Sequence, residues 1–376
     1  MVILSGRKKQ ARGPREAGSR PAGGEPGGHE AGAREVDLRL KAAVERAGGN
    51  GVWVKGWSSA SGDAWRPPRA GQAIEVVAAT RVSDAVLSAI EGEANRQGLE
   101  VRLSEPGGRT PHPGGVEEIT VLRDSKAVSR WRVREVPRIY RASIVIDDLG
   151  EDLEVARQLL RLPYPLTFSV LPGLTHSAAI AEEAHRDGRE VMLHLPMEAQ
   201  SFPREGSPAP GRGVIEVGMP RSEVAEIIEA DLASVPHAHG ANNHMGSRAT
   251  ADQALMGEVM ETLAERHLYF IDSRTTASTV AYDAARRQGV PAFFRSVFLD
   301  DEENVAYSLD QLRRFRRIVE EQGAALAIGH PHPTTIEALT RFLPELELDN
   351  IELVPPSELV RLPEVARILP PRRPAL

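Results

Sequence analysis

Ala142-Ser-Ile-Val-Ile-Asp-Asp-Leu-Gly150 decides how the chain is read. Its β-branched run, Ile144-Val145-Ile146, stops at Gly150 and predicts a short buried parallel strand. That strand delivers two adjacent carboxylates, Asp147 and Asp148. Neighbouring strand residues point to opposite faces, so a flat strand cannot aim both into one site. At a strand's C-terminal end the chain bends into a loop, and both can then face one cavity. In α/β folds that end is where chemistry is placed. The competing reading is a helix cap, with Asp148 or Asp152 capping a helix that starts near Glu151.

From Val136-Pro137-Arg138 onward, strand and helix patterns alternate. Strands fit Ile144–Asp147, Leu166–Leu171, Glu190–Leu195, Ala241–His244, Leu268–Asp272, Ala292–Val297, Ala324–Ile328 and Ile351–Leu353. Helices fit between them, among others Leu153–Leu160, Ser177–Asp187, Arg221–Ser234, Ala251–Glu265, Ser278–Gln288 and Leu309–Gln322. Such alternation implies a parallel sheet with right-handed crossovers. Seven or eight units between residues 139 and 363 favour a distorted (β/α) barrel, although alternation alone does not separate a barrel from an open sheet.

Upstream, residues 36–136 read as a small α+β domain. A helix fits Val36–Arg46, strands fit Val52–Trp57 and Ala73–Ala79, and a helix at Ser83–Gln97 leads into a strand at Leu99–Leu103. A hairpin follows, Ile119–Arg123 with Ser129–Val133. Trp53, Trp57, Trp65 and Trp131 all fall here, and core packing is favoured over a sugar-stacking platform. Residues 1–35, rich in Gly, Pro, Arg and Ala, read as a disordered tail or linker, and 364–376 as a Pro/Arg-rich tail.

A chain of 376 residues has room for this organisation. A net charge of −7 carries no electrostatic footprint for nucleic acid. No run approaches the roughly 20 apolar residues that span a bilayer, and the apolar start Met1-Val-Ile-Leu is too short for a signal-peptide core. With no cysteine, thiolate metal sites are excluded, and any metal must be held by His, Asp, Glu or water. Nine of the eleven histidines lie after residue 140.

The strand ends carry the chemistry. Asp147-Asp148 end one strand, His194-Leu-Pro-Met-Glu198 another, and Asn242-Asn243-His244 a third. Asp272-Ser273 and Gly329-His330-Pro331-His332 end two more. In a barrel these ends share one mouth. Carboxylate and imidazole without thiolate suit Zn²⁺ or a neighbouring divalent metal. His176, His185, His237, His239 and His267 sit on helices or polar loops and read as surface residues.

These motifs, with Leu166-Thr-Phe-Ser-Val-Leu-Pro-Gly173, resemble the divergent polysaccharide deacetylases, distant relatives of the NodB-like carbohydrate esterases. The resemblance runs from about Arg141 to Pro363. It implies that Asp147 is a general base, that Asp148 and His194 hold a divalent metal, zinc foremost, and that His330 is the general acid, oriented by Asp272. Glu198 stands where the family's second metal histidine would be; His244 on the next strand is taken as the third ligand, with Glu198 as the alternative. Asn242-Asn243-His244 replaces the usual Arg-Pro-Pro, and a backbone N–H at Gly246 or Ser247 is the expected oxyanion donor.

The implied activity is metal-assisted removal of N-acetyl groups from a polysaccharide or amino-sugar oligomer. The alternatives are a non-catalytic glycan- or protein-binding envelope protein that keeps the barrel, or a metal hydrolase of another substrate such as a phosphoester or a peptide amide. Resemblance points to the cell envelope or periplasm, while the sequence shows no signal or anchor and leaves a cytoplasmic location open. A protein partner could engage residues 36–136.

Overall fold

The computed structural model describes residues 26–56, 72–104, 115–201, 213–362 and 368. The expectations for residues 1–25, for Trp57 and Trp65, and for the tail 364–376 apart from Ile368 lie outside these residues.

The first helix, α1 (Pro26–Gly48), begins ten residues before the expected Val36, inside the stretch read as tail. With α2 (Ser83–Arg96) it covers a five-stranded sheet. The strands are β1 (Val52–Val54), β2 (Ile74–Ala79), β3 (Glu100–Ser104), β4 (Val116–Arg123) and β5 (Lys126–Val136), in the order β1-β2-β5-β4-β3. The turn between β4 and β5 is tighter than expected. Asp124 and Ser125 alone make it, with φ of 50° and 62°, which matches the right-handed strand twist. Trp131 is buried among the helices and donates from Nε1 to Ser129 Oγ at 2.8 Å, so it is core and not a stacking platform.

The second sheet is entirely parallel. It comprises β6 (Tyr140–Leu149), β7 (Thr167–Val170), β8 (Val191–Met197), β9 (Ala238–Met245), β10 (Tyr269–Asp272), β11 (Ala292–Phe294), β12 (Val297–Phe298), β13 (Ala324–Gly329) and β14 (Ile351–Leu353). The order is β11-β10-β9-β8-β7-β6-β13-β12, with β14 beside the start of β6. Ile144, Val145 and Ile146 are at most 1% exposed, because both faces of β6 are covered. Helices α3 (Leu153–Leu160), α4 (Ser177–Arg186), α5 (Arg221–Ser234), α6 (Gln253–Glu265), α7 (Ala281–Arg287), α8 (Val305–Gln322), α9 (Pro333–Leu348) and α10 (Pro356–Leu359) connect these strands or follow them.

The stretch expected as one strand, Ala292–Val297, is two. Arg295 N donates to Asp272 O, whereas Ser296 N donates to Leu326 O, so the backbone changes partner from β10 to β13 between adjacent residues. The Arg295 guanidinium holds that switch by donating to Ser273 O and Arg274 O at 2.7 and 3.0 Å. β11 and β12 are the two ends of the sheet yet are separated only by Arg295 and Ser296. The sheet must therefore curl until its edges almost meet. Among the described residues no ladder joins those edges, and the result is a curled half-barrel of parallel strands flanked by helices.

Candidate metal centre

The opening strand solves its two-carboxylate problem with a bulge. Pairing of β6 with β7 shifts register between Ile146 and Leu149, and Asp148 sits in the left-handed region at φ 56°. This conformation costs on the order of 1 kcal/mol for a residue with a Cβ, least for Asp and Asn, and it turns the second carboxylate to the side of the first. Gly150 follows at φ 145°, where a Cβ would lie 3.2 Å from Leu171 O. The helix-cap reading belongs to Asp152, whose Oδ1 accepts from Glu154 N and Val155 N at 2.9 and 3.0 Å. Asp148 is left for other work.

Parallel strands bring two imidazoles to it. His194 on β8 pairs with Asn242 on β9, and Pro196 with His244, so His244 lies two residues beyond Asn242 on the same face. His194 Nε2 and His244 Nδ1 each lie 3.0 Å from Asp148 Oδ1 and 3.1 Å from each other. Three zinc ligands at ~2.0–2.2 Å in a tetrahedron stand about 3.3–3.5 Å apart, close to this triangle. Asp148 Oδ1 is buried and accepts no well-aligned hydrogen bond. An orphaned buried oxygen beside two imidazole nitrogens has the donor set to hold a cation.

The electrostatics agree. Burial raises the Asp148 pKa, but His194 and His244 outweigh it and hold the carboxyl well below its ordinary range. Burial pushes His194 down, and Asp147 and Asp148 outweigh it, leaving it above its ordinary value. The same field favours a divalent cation. Asp147, 2% exposed, has both oxygens within reach of Asn242 Nδ2, at 2.8 and 3.0 Å.

A second cluster joins Asp300, His330 and His332, and its ligand-type atoms also lie within 4.8 Å of one another. Its carboxylate is already satisfied. Asp300 Oδ2 accepts from His330 N and Thr335 Oγ1, both at 2.6 Å, and Oδ1 faces His330 Nδ1 at 2.8 Å. This is a hydrogen-bonded dyad more than a vacant ligand set. Burial lowers the His330 pKa, but Asp300 outweighs it and raises the value to about 9. His330 Nε2 points back to the first cluster, 4.0 Å from Asp148 Oδ2.

Two expected site residues lie elsewhere. Asp272 does not orient His330: its Oδ1 accepts from Arg274 N, and its Oδ2 from Thr279 Oγ1 and Tyr282 N, pinning the loop after β10. Asp300 has the position foreseen for it. The pattern was readable, since Val297-Phe-Leu-Asp300-Asp301 repeats the apolar-run-then-Asp-Asp form of the opening stretch. Fusing β11 and β12 into one strand concealed it. Glu198 does not join the trio either. Its Oε1 meets Arg248 Nη1 at 2.5 Å and its Oε2 accepts from Val217 N at 2.9 Å, which ties down the loop after β8. Gly246, at φ 83°, and Ser247 come after His244 and Met245 in the turn that follows β9. His237 stacks on His185, ring centroids 3.8 Å apart, and pairs with Glu182, at the N-terminal end of β9 and away from the trio.

Comparison with known proteins identifies the family of the parallel-sheet part of the chain. A family model described as divergent polysaccharide deacetylase matches residues 144–360. The uncharacterised protein YibQ of Escherichia coli K12 is 38% identical over 231 residues, 61% of this chain and 70% of that protein. An uncharacterised protein of Haemophilus influenzae is 35% identical over 230 residues, 61% of this chain and 79% of its own. Among solved structures, an uncharacterised protein of Agrobacterium tumefaciens C58 superposes with a TM-score of 0.56 at 26% identity, covering 59% of this chain and 89% of that one.

Proposed function

The chain belongs to the divergent polysaccharide deacetylase family, and on that premise we propose that it is a metal-dependent hydrolase removing N-acetyl groups from a polysaccharide or amino-sugar oligomer. The observation that carries this reading is the orphaned Asp148 Oδ1 between His194 and His244, with Asp147 and His330 beside it.

Asp148, His194 and His244 would hold the metal, zinc foremost. Bound there, a divalent metal supplies Lewis-acid polarisation of the acetyl carbonyl and acidifies a water. Asp147 takes the proton from the attacking water, its carboxylate held in place by Asn242 Nδ2. His330, kept protonated at neutral pH by Asp300, gives a proton from Nε2 to the departing amine. A backbone N–H at Gly246 or Ser247 is the proposed donor to the developing oxyanion.

His244 supplies the third ligand-type atom where Glu198 does not. That favours a hydrolase over a non-catalytic glycan- or protein-binding envelope protein. Work in the cell envelope is part of the proposal. Among the described residues no helix is long and apolar enough to cross a membrane.

The test is metal analysis of the purified protein, followed by an acetate-release assay on N-acetylglucosamine oligomers with and without chelator. About one equivalent of zinc and chelator-sensitive release are expected. A protein that takes up no divalent metal, or releases acetate equally well in chelator, is not this enzyme.

A further inference from the structure

One fully buried amide touches both functional carboxylate and functional imidazole. Asn242 is 0% exposed in the interior of the curled sheet. Its Nδ2 donates to Asp147 Oδ1 and Oδ2 at 2.8 and 3.0 Å and lies 3.2 Å from Ser273 Oγ. Its Oδ1 accepts from Ser169 Oγ at 2.8 Å and faces His194 Nδ1 at 2.9 Å.

The orientation of the amide follows from chemistry. A carboxylate has only acceptors, so the NH₂ end must face Asp147, and the carbonyl end must face His194. A carbonyl only accepts, so His194 Nδ1 must carry the hydrogen. In the neutral ring this leaves the Nε2 lone pair aimed at Asp148 Oδ1 and His244 Nδ1. Flipping the amide would set its oxygen against the carboxylate of Asp147 and its NH₂ against the ring nitrogen.

We propose that Asn242 is a positioning residue that couples Asp147 to His194: the carboxylate orients the amide, and the amide selects the Nε2-ligating tautomer of His194. A single neutral side chain thereby sets the base and one metal ligand together. This rests on the metal-centre reading of the Asp148–His194–His244 trio.

The test uses the full chain, free of metal, with ¹⁵N-labelled histidine. NMR at a pH where the His194 ring is neutral should show the hydrogen on Nδ1 and none on Nε2, and a bare Nδ1 in the wild type overturns the proposal without any variant. Calorimetric titration with zinc chloride then compares wild type with Asn242→Leu, where affinity should fall 10–100-fold, as when an outer-shell partner of a ligating histidine is removed. The Nδ1 hydrogen should also lose its preference in that variant. A folded Asn242→Leu protein with unchanged tautomer and affinity within twofold of wild type overturns it too. If the wild type shows the Nδ1 hydrogen but takes up no zinc, the amide assignment stands and the metal-centre reading fails.

Discussion

At the residue scale, adjacent aspartates have different surroundings and therefore different expected roles. Asp147 faces an amide donor, Asp148 two imidazole nitrogens. Asp147→Asn is expected to lower acetate release by about 10²–10⁴-fold while zinc content stays near that of the wild type. Retention of full rate removes the base assignment. The His330–Asp300 pair has a signed pH dependence. With the folded pKa at about 9 against an ordinary 6.5, the pair's contribution to stability is complete below pH 6.5 and lost as pH rises through about 9. The alkaline limb of activity should follow the same proton. Asp300→Asn should bring the His330 titration down and draw that limb to lower pH, read by NMR titration alongside the pH–rate profile. An unmoved limb excludes His330 as the acid.

At the element scale, the turn after β6 divides its labour between a bulge and a cap. Asp152 accepts two backbone N–H groups at the start of α3, so Asp152→Ala should cost about 1 kcal/mol in urea unfolding and leave zinc affinity unchanged. A loss of zinc binding in that variant would reassign the cap and ligand roles. The strand, the helix and the two carboxylates were legible here because a β-branched run, a glycine and a capping residue are local signals. The register slip at Ile146/Leu149 and the φ of 56° at Asp148 were not, because they depend on how β7 pairs alongside. The same limit hid the break at Arg295-Ser296, where only the neighbouring strands show that the backbone changes partner.

At the scale of the whole molecule, the β1–β5 sheet docks at the foot of the parallel sheet. Arg141, second residue of β6, donates from Nη2 to Val52 O at 3.2 Å, while its Nε pairs with Glu352 at 2.9 Å. Trp53, Val77, Val136 and Ile139 pack beside it. Asp148 lies seven residues further along the strand than Arg141, on the order of 20 Å, so this contact supports the fold without entering the chemistry. Burial outweighs Arg141 and raises the Glu352 pKa to about 7. A raised carboxyl pKa favours the protonated form in the fold, so its contribution is complete below the ordinary carboxyl pKa and lost as pH rises through about 7. Arg141→Ala, which leaves that carboxylate unpaired, should cost about 3 kcal/mol at pH 8 and less at pH 5, with zinc affinity unchanged. Equal losses at both pH values would show that Glu352 is not the group responsible.

Residue order alone settled the parallel α/β character and the recurrence of ionisable residues at strand ends, because periodicity and strand polarity are properties of the chain itself. It also named Asp147, Asp148, His194, His244 and His330 as candidates. Which of them meet was decided by tertiary structure. Register between β8 and β9 places His244 beside His194, the partner switch at Arg295 brings Asp300 and not Asp272 to His330, and the loop after β8 takes Glu198 away. Side chains far apart in sequence become neighbours only through strand pairing, and pairing is a contest among all the strands at once.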